Sequence, residues 1–307
     1  MKTTLVFGHK SPDTDSTGSP IAWAWYLSSV AGMDAAPALL GAPNTEAAYM
    51  LKRWGLDTPQ IIAGVNAGQP VVIVDTNNPA ELPEGINDAD IRQIIDHHKL
   101  VGGLETSGPI EITVRPLACT ATIMADLMGG ALETAPEGIK GAMLTCILSD
   151  TLEFRSPTTT DHDRAVAERL AKDLGVSIPE LAAEMFAAKS DVSAFSDAEL
   201  LRMDSKEYAV DGTKFRVSVL ETTAPDVVLD RKASIMESMG PVASEDGVEQ
   251  VLLFVVDILN EEATLLVPND LVKTVAEKSF GASVTGDSVV LPGIMSRKKQ
   301  IIPALKV

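Results

Sequence analysis

The sequence is short of cysteine. Cys119 and Cys146 are the only two in 307 residues, too few for a disulfide framework, which points to a reducing compartment. Cations are scarce as well: 25 Lys and Arg stand against 43 Asp and Glu, a formal net charge of −18. So acidic a chain repels nucleic acid and anionic membranes, and neither is expected as a partner. Aromatic residues make up only 4%, leaving little surface on which bases could stack. No apolar run is long enough to cross a membrane. The longest charge-free stretch, residues 16–33, is broken by Gly18, Pro20, Ser28 and Ser29 and reads as a buried helix. The first apolar run, Leu5-Val6-Phe7, is too short for the core of a signal peptide. A soluble, cytoplasmic protein is expected.

What remains is an ordinary globular composition, 45% hydrophobic and 22% charged, at a length that favours two domains. The first part alternates β-branched runs, at 3–7, 38–40, 60–63, 70–74, 91–95 and 110–114, with helical patterns. The helices fit 16–30, 44–55, 120–128, 139–148, 160–174 and 179–188; Asn44 or Thr45 caps the second and Gly55 stops it. This is the pattern of an α/β fold, a mostly parallel sheet flanked by helices. A polar segment, 189–193, precedes a change of pattern and reads as a hinge linker. Beyond it, strands at 214–220, 250–259, 263–268, 289–291 and 301–305 mix with helices at 225–239 and 269–277. The predicted organisation is therefore a domain at 1–188, a linker at 189–193, and a smaller α+β domain with a mixed sheet at 194–307.

There are four histidines, His9, His97, His98 and His162, and three follow predicted strands in the company of aspartates. The strand at 3–7 is followed by Gly8-His9-Lys10-Ser11-Pro12-Asp13-Thr14-Asp15, that at 70–74 by Asp75-Thr76-Asn77, and that at 91–95 by Asp96-His97-His98. The apolar segment ending at Leu148 is followed by Ser149-Asp150. A parallel sheet sets the carboxyl ends of its strands along one edge, where open α/β folds build their sites. His9, Asp13, Asp15, Asp75, His97 and Asp150 would converge there, with His98 beside them. Two imidazoles and four carboxylates exceed the needs of one octahedral ion and suit a pair of divalent ions. Clustered without metal, the carboxylates would repel one another. His162, in Thr160-Asp161-His162-Asp163, reads as a helix-start residue. Near the C-terminus Ser296-Arg297-Lys298-Lys299 is a run of three cations in an acidic chain, suited to phosphate, and Lys206 is a further candidate cation.

These motifs, in this order from His9 to Lys299, closely resemble those of the family II, manganese-dependent inorganic pyrophosphatases of the DHH phosphoesterase superfamily. The resemblance implies one metal held by His9, Asp13 and Asp75 and another by Asp15, Asp75, His97 and Asp150. It implies substrate contacts, and a catalytic role, for His98, Lys206, Arg297 and Lys298. It also implies hydrolysis of inorganic pyrophosphate by a metal-bridging hydroxide, two Mn²⁺ per subunit with Co²⁺ or Mg²⁺ as substitutes, closure of two domains over the substrate, and a homodimer formed through the first domain. Ser11 and Thr76 depart from the family's usual Asn and His; neither is a ligand. Rival readings are a DHH-type exopolyphosphatase, an oligonucleotide or cyclic-dinucleotide phosphodiesterase, and a non-catalytic metal- or phosphate-binding protein. The phosphodiesterases usually carry a Gly-Gly-Gly-His motif that is missing from this sequence.

Overall fold

The computed structural model describes residues 2–307, apart from the side chains of Lys298 and Lys299. The chain divides into two compact units, Met1–Ala188 and Lys189–Val307.

The first unit is built on six strands: β1 (Thr4–Phe7), β2 (Ala35–Leu39), β3 (Gln60–Ile61), β4 (Pro70–Val74), β5 (Asp90–Asp96) and β6 (Glu111–Val114). Their order is β3-β2-β1-β4-β5-β6 and every pairing is parallel. The central β4 reads Pro-Val-Val-Ile-Val and is buried throughout, as expected of a strand covered on both faces. Winding runs outward from β1 in one direction and from β4 in the other, so the switch point lies between β1 and β4. Loops leaving these two strands diverge to opposite sides there and open a crevice at the carboxyl edge.

Six helices accompany the sheet, α1 (Thr14–Trp25), α2 (Thr45–Arg53), α3 (Thr120–Met128), α4 (Glu137–Thr151), α5 (Asp161–Leu174) and α6 (Ile178–Lys189), with α1 and α3 against its strands and α4 packed on α1. The expected helix at 16–30 is α1 followed by a π-helical turn, Tyr26–Val30. Asn44 caps α2 by accepting from Ala47 N at 2.8 Å, and Thr160 with Asp163 forms a capping box on α5. Helix α4 runs three residues past the predicted end at 148, which carries Asp150 into its last turn. That acid sits at a helix end, not after a strand.

The second unit has α7 (Asp197–Met203), β7 (Ser205–Val210), β8 (Thr213–Thr222), α8 (Pro225–Leu229), α9 (Lys232–Asp246), β9 (Gln250–Asp257), β10 (Glu262–Leu266), α10 (Asp270–Phe280) and β11 (Ser288–Pro292). The sheet order is β11-β10-β9-β8-β7, with β8 and β9 parallel and the rest antiparallel. Alternate residues of β9 serve two cores: Leu252, Phe254 and Val256 pack with α10, while Leu253 and Val255 pack with α7 and α9. Two sequence expectations need correction here, and two elements lacked one. Residues 301–305 do not form a strand; they leave a helical turn, Arg297–Ile301, and enter a short helix, Ile302–Ala304. The helix expected at 225–239 is two, α8 and α9. Strand β7 and helix α7 carry no clean period in sequence and were not anticipated. Lys189 ends α6, and Ser190 is buried, bonded to Thr222 Oγ1 at 2.8 Å and accepting from Thr223 N at 3.2 Å.

Candidate metal centre

Four chain segments meet at the carboxyl edge of the first sheet. The first leaves β1 through Gly8, where a Cβ would stand 2.1 Å from Ser16 Oγ. Lacking one, the backbone lies against the start of α1, and the His9 N–H donates to Ser16 Oγ at 2.9 Å. Asp13 caps α1, its Oδ1 accepting from Ser16 N at 2.9 Å. Its other oxygen, Oδ2, lies 3.6 Å from His9 Nε2. Ser16 thus holds both residues. Gly8→Ala is expected to cost about 1–3 kcal/mol of stability, because overpacked sites shift at that expense; urea denaturation would measure it, and an unchanged midpoint would contradict this packing.

Asp15, in the first turn of α1, accepts from Ser19 Oγ at 2.5 Å and from Thr120 N at 2.7 Å, so it fixes the start of α3 against α1. Asp75 follows β4 in the left-handed region, at φ 59, which Asp tolerates better than most residues. It is 1% exposed. Its N–H donates to Ile95 O at 2.9 Å, and its Oδ1 accepts from Thr120 Oγ1 at 3.2 Å. That oxygen lies 3.3 Å from His97 Nε2, and Oδ2 lies 3.6 Å from His9 Nε2. His97 Nδ1 is 3.2 Å from Leu117 O. A carbonyl can only accept, so Nδ1 carries a proton, and in the neutral ring the lone pair therefore sits on Nε2.

His98 is half exposed, and its Nδ1 sits 2.9 Å from Asp96 Oδ1. Asp96 is fully buried and also accepts from Asn77 Nδ2 at 2.5 Å. The pair shift one another: the Asp96 hydrogen bond raises the His98 imidazole above its ordinary pKa. Burial works against ionised Asp96, yet bonds from His98 and Asn77 outweigh it and keep that carboxyl below the usual range. Burial similarly opposes charge on His9, and the hydrogen bond and charge of Asp13, with the charge of Asp75, outweigh it and raise His9.

Three groups offer donor atoms within 4.8 Å of one another: His9, Asp13 and Asp75; Asp15, His97 and Asp150; and Asp75, His97 and His98. The structure therefore brings together all six residues read from the sequence as ligands, with His98 beside them. Burial first, then the charges of neighbouring aspartates, Asp15 foremost, pushes Asp75 and Asp150 well above the ordinary carboxylate range. Among the described residues no Lys or Arg pairs with Asp15, Asp75 or Asp150, and buried Asp150 Oδ2 has no hydrogen-bond partner. A carboxylate oxygen without a donor, in a cluster short of positive charge, fits a metal cation. The mixed imidazole and carboxylate set suits Mn²⁺ or Co²⁺ better than an all-oxygen Mg²⁺ shell.

In the second unit Lys206 is exposed on β7. Arg297 donates from Nη1 to Asp204 O at 2.8 Å and pairs through Nη2 with Asp204 Oδ1 at 2.8 Å. Asp204 immediately precedes β7, so the fork of Arg297 is fixed beside the strand that carries Lys206. Gln300 shapes the cationic turn: its Oε1 accepts from Met295 N and Ser296 N, each at 2.9 Å, and its Nε2 donates to Gly293 O at 2.6 Å. The side chain of Lys298 lies outside the described residues. His162 Nε2 meets Asp126 Oδ1 at 2.9 Å on the surface.

Sequence reasoning assigned nothing to Ser16, Asn77, Asp96, Thr120 or Gln300. Asp96 stood in a quoted motif and was the one most open to discovery; an acid directly before two histidines is placed to orient one of them.

Residues 3–151 match the model for the DHH family N-terminal domain, and residues 183–307 that for the DHHA2 domain. A Deinococcus radiodurans protein named "Probable manganese-dependent inorganic pyrophosphatase" is 40% identical over 98% of this chain and 97% of its own. The "Manganese-dependent inorganic pyrophosphatase" of Methanocaldococcus jannaschii is 34% identical over 98% and 97%. This chain belongs to the manganese-dependent (family II) inorganic pyrophosphatases. A crystal structure assigned to that family, from Methanococcus jannaschii, superposes with a TM-score of 0.67 at 34% identity, covering 99% of this chain and 98% of the other. An exopolyphosphatase-related protein of Bacteroides fragilis shares the fold alone, with a TM-score of 0.52 at 14% identity, over 98% of this chain and 89% of the other.

Proposed function

We propose that this family member hydrolyses inorganic pyrophosphate to two phosphates. Two divalent cations, Mn²⁺ in the first instance and Co²⁺ or Mg²⁺ as substitutes, would be held by His9, Asp13 and Asp75 and by Asp15, Asp75, His97 and Asp150. The observation that carries the two-cation reading is Asp75 itself: one buried carboxylate turns one oxygen toward His9 and the other toward His97. Relatives named for pyrophosphate and manganese along the whole chain support the substrate. Bound there, the cations would supply Lewis-acid activation of water and neutralise phosphoryl charge.

The chain's own residues do the rest. Leu117 O fixes the His97 tautomer, so the neutral ring offers Nε2 as its donor atom. His98 is held at Nδ1 by Asp96, which fixes its ring; its Nε2–H is suited to give a proton to the leaving phosphate. Arg297, braced by Asp204, would offer its remaining N–H groups to phosphoryl oxygens, and Lys206 and Lys298 would act as point charges. A cytoplasmic homodimer formed through the first unit completes the proposal. No helix among the described residues is long and apolar enough to cross a membrane.

The decisive assay follows phosphate release by metal-stripped protein given back Mn²⁺, Co²⁺ or Mg²⁺, on pyrophosphate, tripolyphosphate and a dinucleotide. Release restored by Mn²⁺, from pyrophosphate far above the others, is expected. No pyrophosphate turnover with any metal, or preference for the dinucleotide, overturns the substrate. In the same assay Lys298→Ala is expected to raise KM about tenfold or more while kcat changes little, as loss of one charged contact to substrate does; an unchanged KM would remove Lys298 from the substrate set.

A further inference from the structure

Glu46 belongs to no donor group, and nothing in its place in the sequence marks it out. It lies in the first turn of α2 and is 1% exposed. Its Oε2 accepts from two hydroxyls, Thr14 Oγ1 at 2.9 Å and Ser149 Oγ at 2.7 Å. Thr14 stands between Asp13 and Asp15 at the start of α1, and Ser149 precedes Asp150 in the last turn of α4. One carboxylate on a third helix therefore ties together the two helix ends that deliver Asp15 and Asp150.

Two further contacts set the same spacing. The Cys146 thiol of α4 donates to Thr14 O at 3.2 Å. Gly18 of α1 faces the same residue so closely that a Cβ would stand 2.4 Å from Cys146 Sγ. Helix packing alone would hold α2 in place with an apolar side chain at position 46. A buried carboxylate is dearer in desolvation, and what it adds is direction: its two bonds end on residues adjacent to metal-ligand candidates.

We propose that Glu46 is a positioning residue that sets the distance between Asp15 and Asp150, and with it the affinity of the cation held by Asp15, His97 and Asp150. The His9, Asp13 and Asp75 group takes nothing from α4; Gly8, Ser16 and the loop after β4 hold it. Thr14 adjoins Asp13 as well as Asp15, but only the second group has a ligand at each end of the strap, so Glu46 acts mainly on that cation site. This inference rests on the two-cation reading above.

The test is Mn²⁺ titration of the metal-stripped full chain by calorimetry, wild type beside Glu46→Gln, Ser149→Ala and the double variant. Gln keeps the volume and removes the charge that strengthens both hydroxyl bonds. The wild type is expected to show two binding events. Each single variant is expected to keep one near wild-type affinity and weaken the other about tenfold or more, the usual effect of losing a partner behind a metal ligand. The double variant is expected to lose no more than the worse single one, since both changes cut one strap. Two unchanged events in the single variants, or equal weakening of both, overturn the role of Glu46 while the two-cation reading stands. A wild type without two events overturns that reading and this inference with it. Should Glu46→Gln lose its far-UV circular dichroism, Ser149→Ala, which removes one hydroxyl and keeps the carboxylate, decides by the same criteria.

Discussion

Asp75→Asn is expected to lower Mn²⁺-dependent phosphate release by roughly a thousandfold or more, about 4 kcal/mol at 1.36 kcal/mol per decade. The size follows from the geometry. Asp75 turns one oxygen to each imidazole, so exchanging one oxygen for an amide nitrogen removes a ligand oxygen from one group and the negative charge from both. Asn is the right replacement because it keeps the volume and tolerates a φ of 59, whereas Ala there would add backbone strain to the lost ligand. The metal-free variant should also melt higher than metal-free wild type, since a buried carboxylate among carboxylates is repulsive without a cation. Phosphate release and thermal melts check both parts. Full activity in Asp75→Asn would remove Asp75 as the shared ligand.

The second large effect is a metal-dependent shift in stability that grows with pH. In the metal-free protein the folded-state pKa values of Asp75 and Asp150 are raised above the ordinary carboxylate value. A group so shifted contributes stability that is complete below its unfolded pKa, near 4, and is lost as pH rises through the higher folded value. His9 and His98, also raised, add contributions of the same sign that fade as pH rises past the usual imidazole value. Asp96 is lowered, so its contribution is lost only as pH falls into the acid range and does not offset the others near neutrality. Metal-free protein is therefore expected to weaken from about pH 5 to about pH 8. Mn²⁺ requires the deprotonated carboxylates and free imidazoles that dominate at the upper end. At a hundredfold excess over its dissociation constant, each bound ion adds about 2.7 kcal/mol. The gap between melting temperatures with and without Mn²⁺ should widen across that range; parallel curves would contradict a metal role for these acids.

The six ligand candidates and His98 were legible because most obey one rule: the carboxyl end of a parallel strand is a place for function, and His9, Asp13, Asp75 and His97 each follow such a strand closely. Asp150 follows a run read as helix over 139–148, and that helix continues through Thr151, so the acid stands in its last turn and not just beyond it. The parallel sheet was legible from alternating periods, including a fully buried β4. Residues 301–305 were not: Ile-Ile-Pro-Ala-Leu has β-like composition, yet Gln300 gathers the preceding turn and starts a helical path. Glu46, Ser16 and Thr120 were illegible for a different reason. A Glu in a first helical turn, or a Ser or Thr near a helix start, satisfies local preferences in any protein; its role here depends on what stands opposite it in space.

The placement of Asp150 also governs timing. Strands β1, β4 and β5 can assemble from the first hundred or so residues, so His9, Asp13, Asp75 and His97 are available early in synthesis, when domains begin to fold from their N-terminal side. The Asp15, His97 and Asp150 group is incomplete until α4 has left the ribosome and docked on α1. A nascent chain passing through the exit tunnel would thus complete the donor group of His9, Asp13 and Asp75 before α4 emerges and that of Asp15, His97 and Asp150 after it.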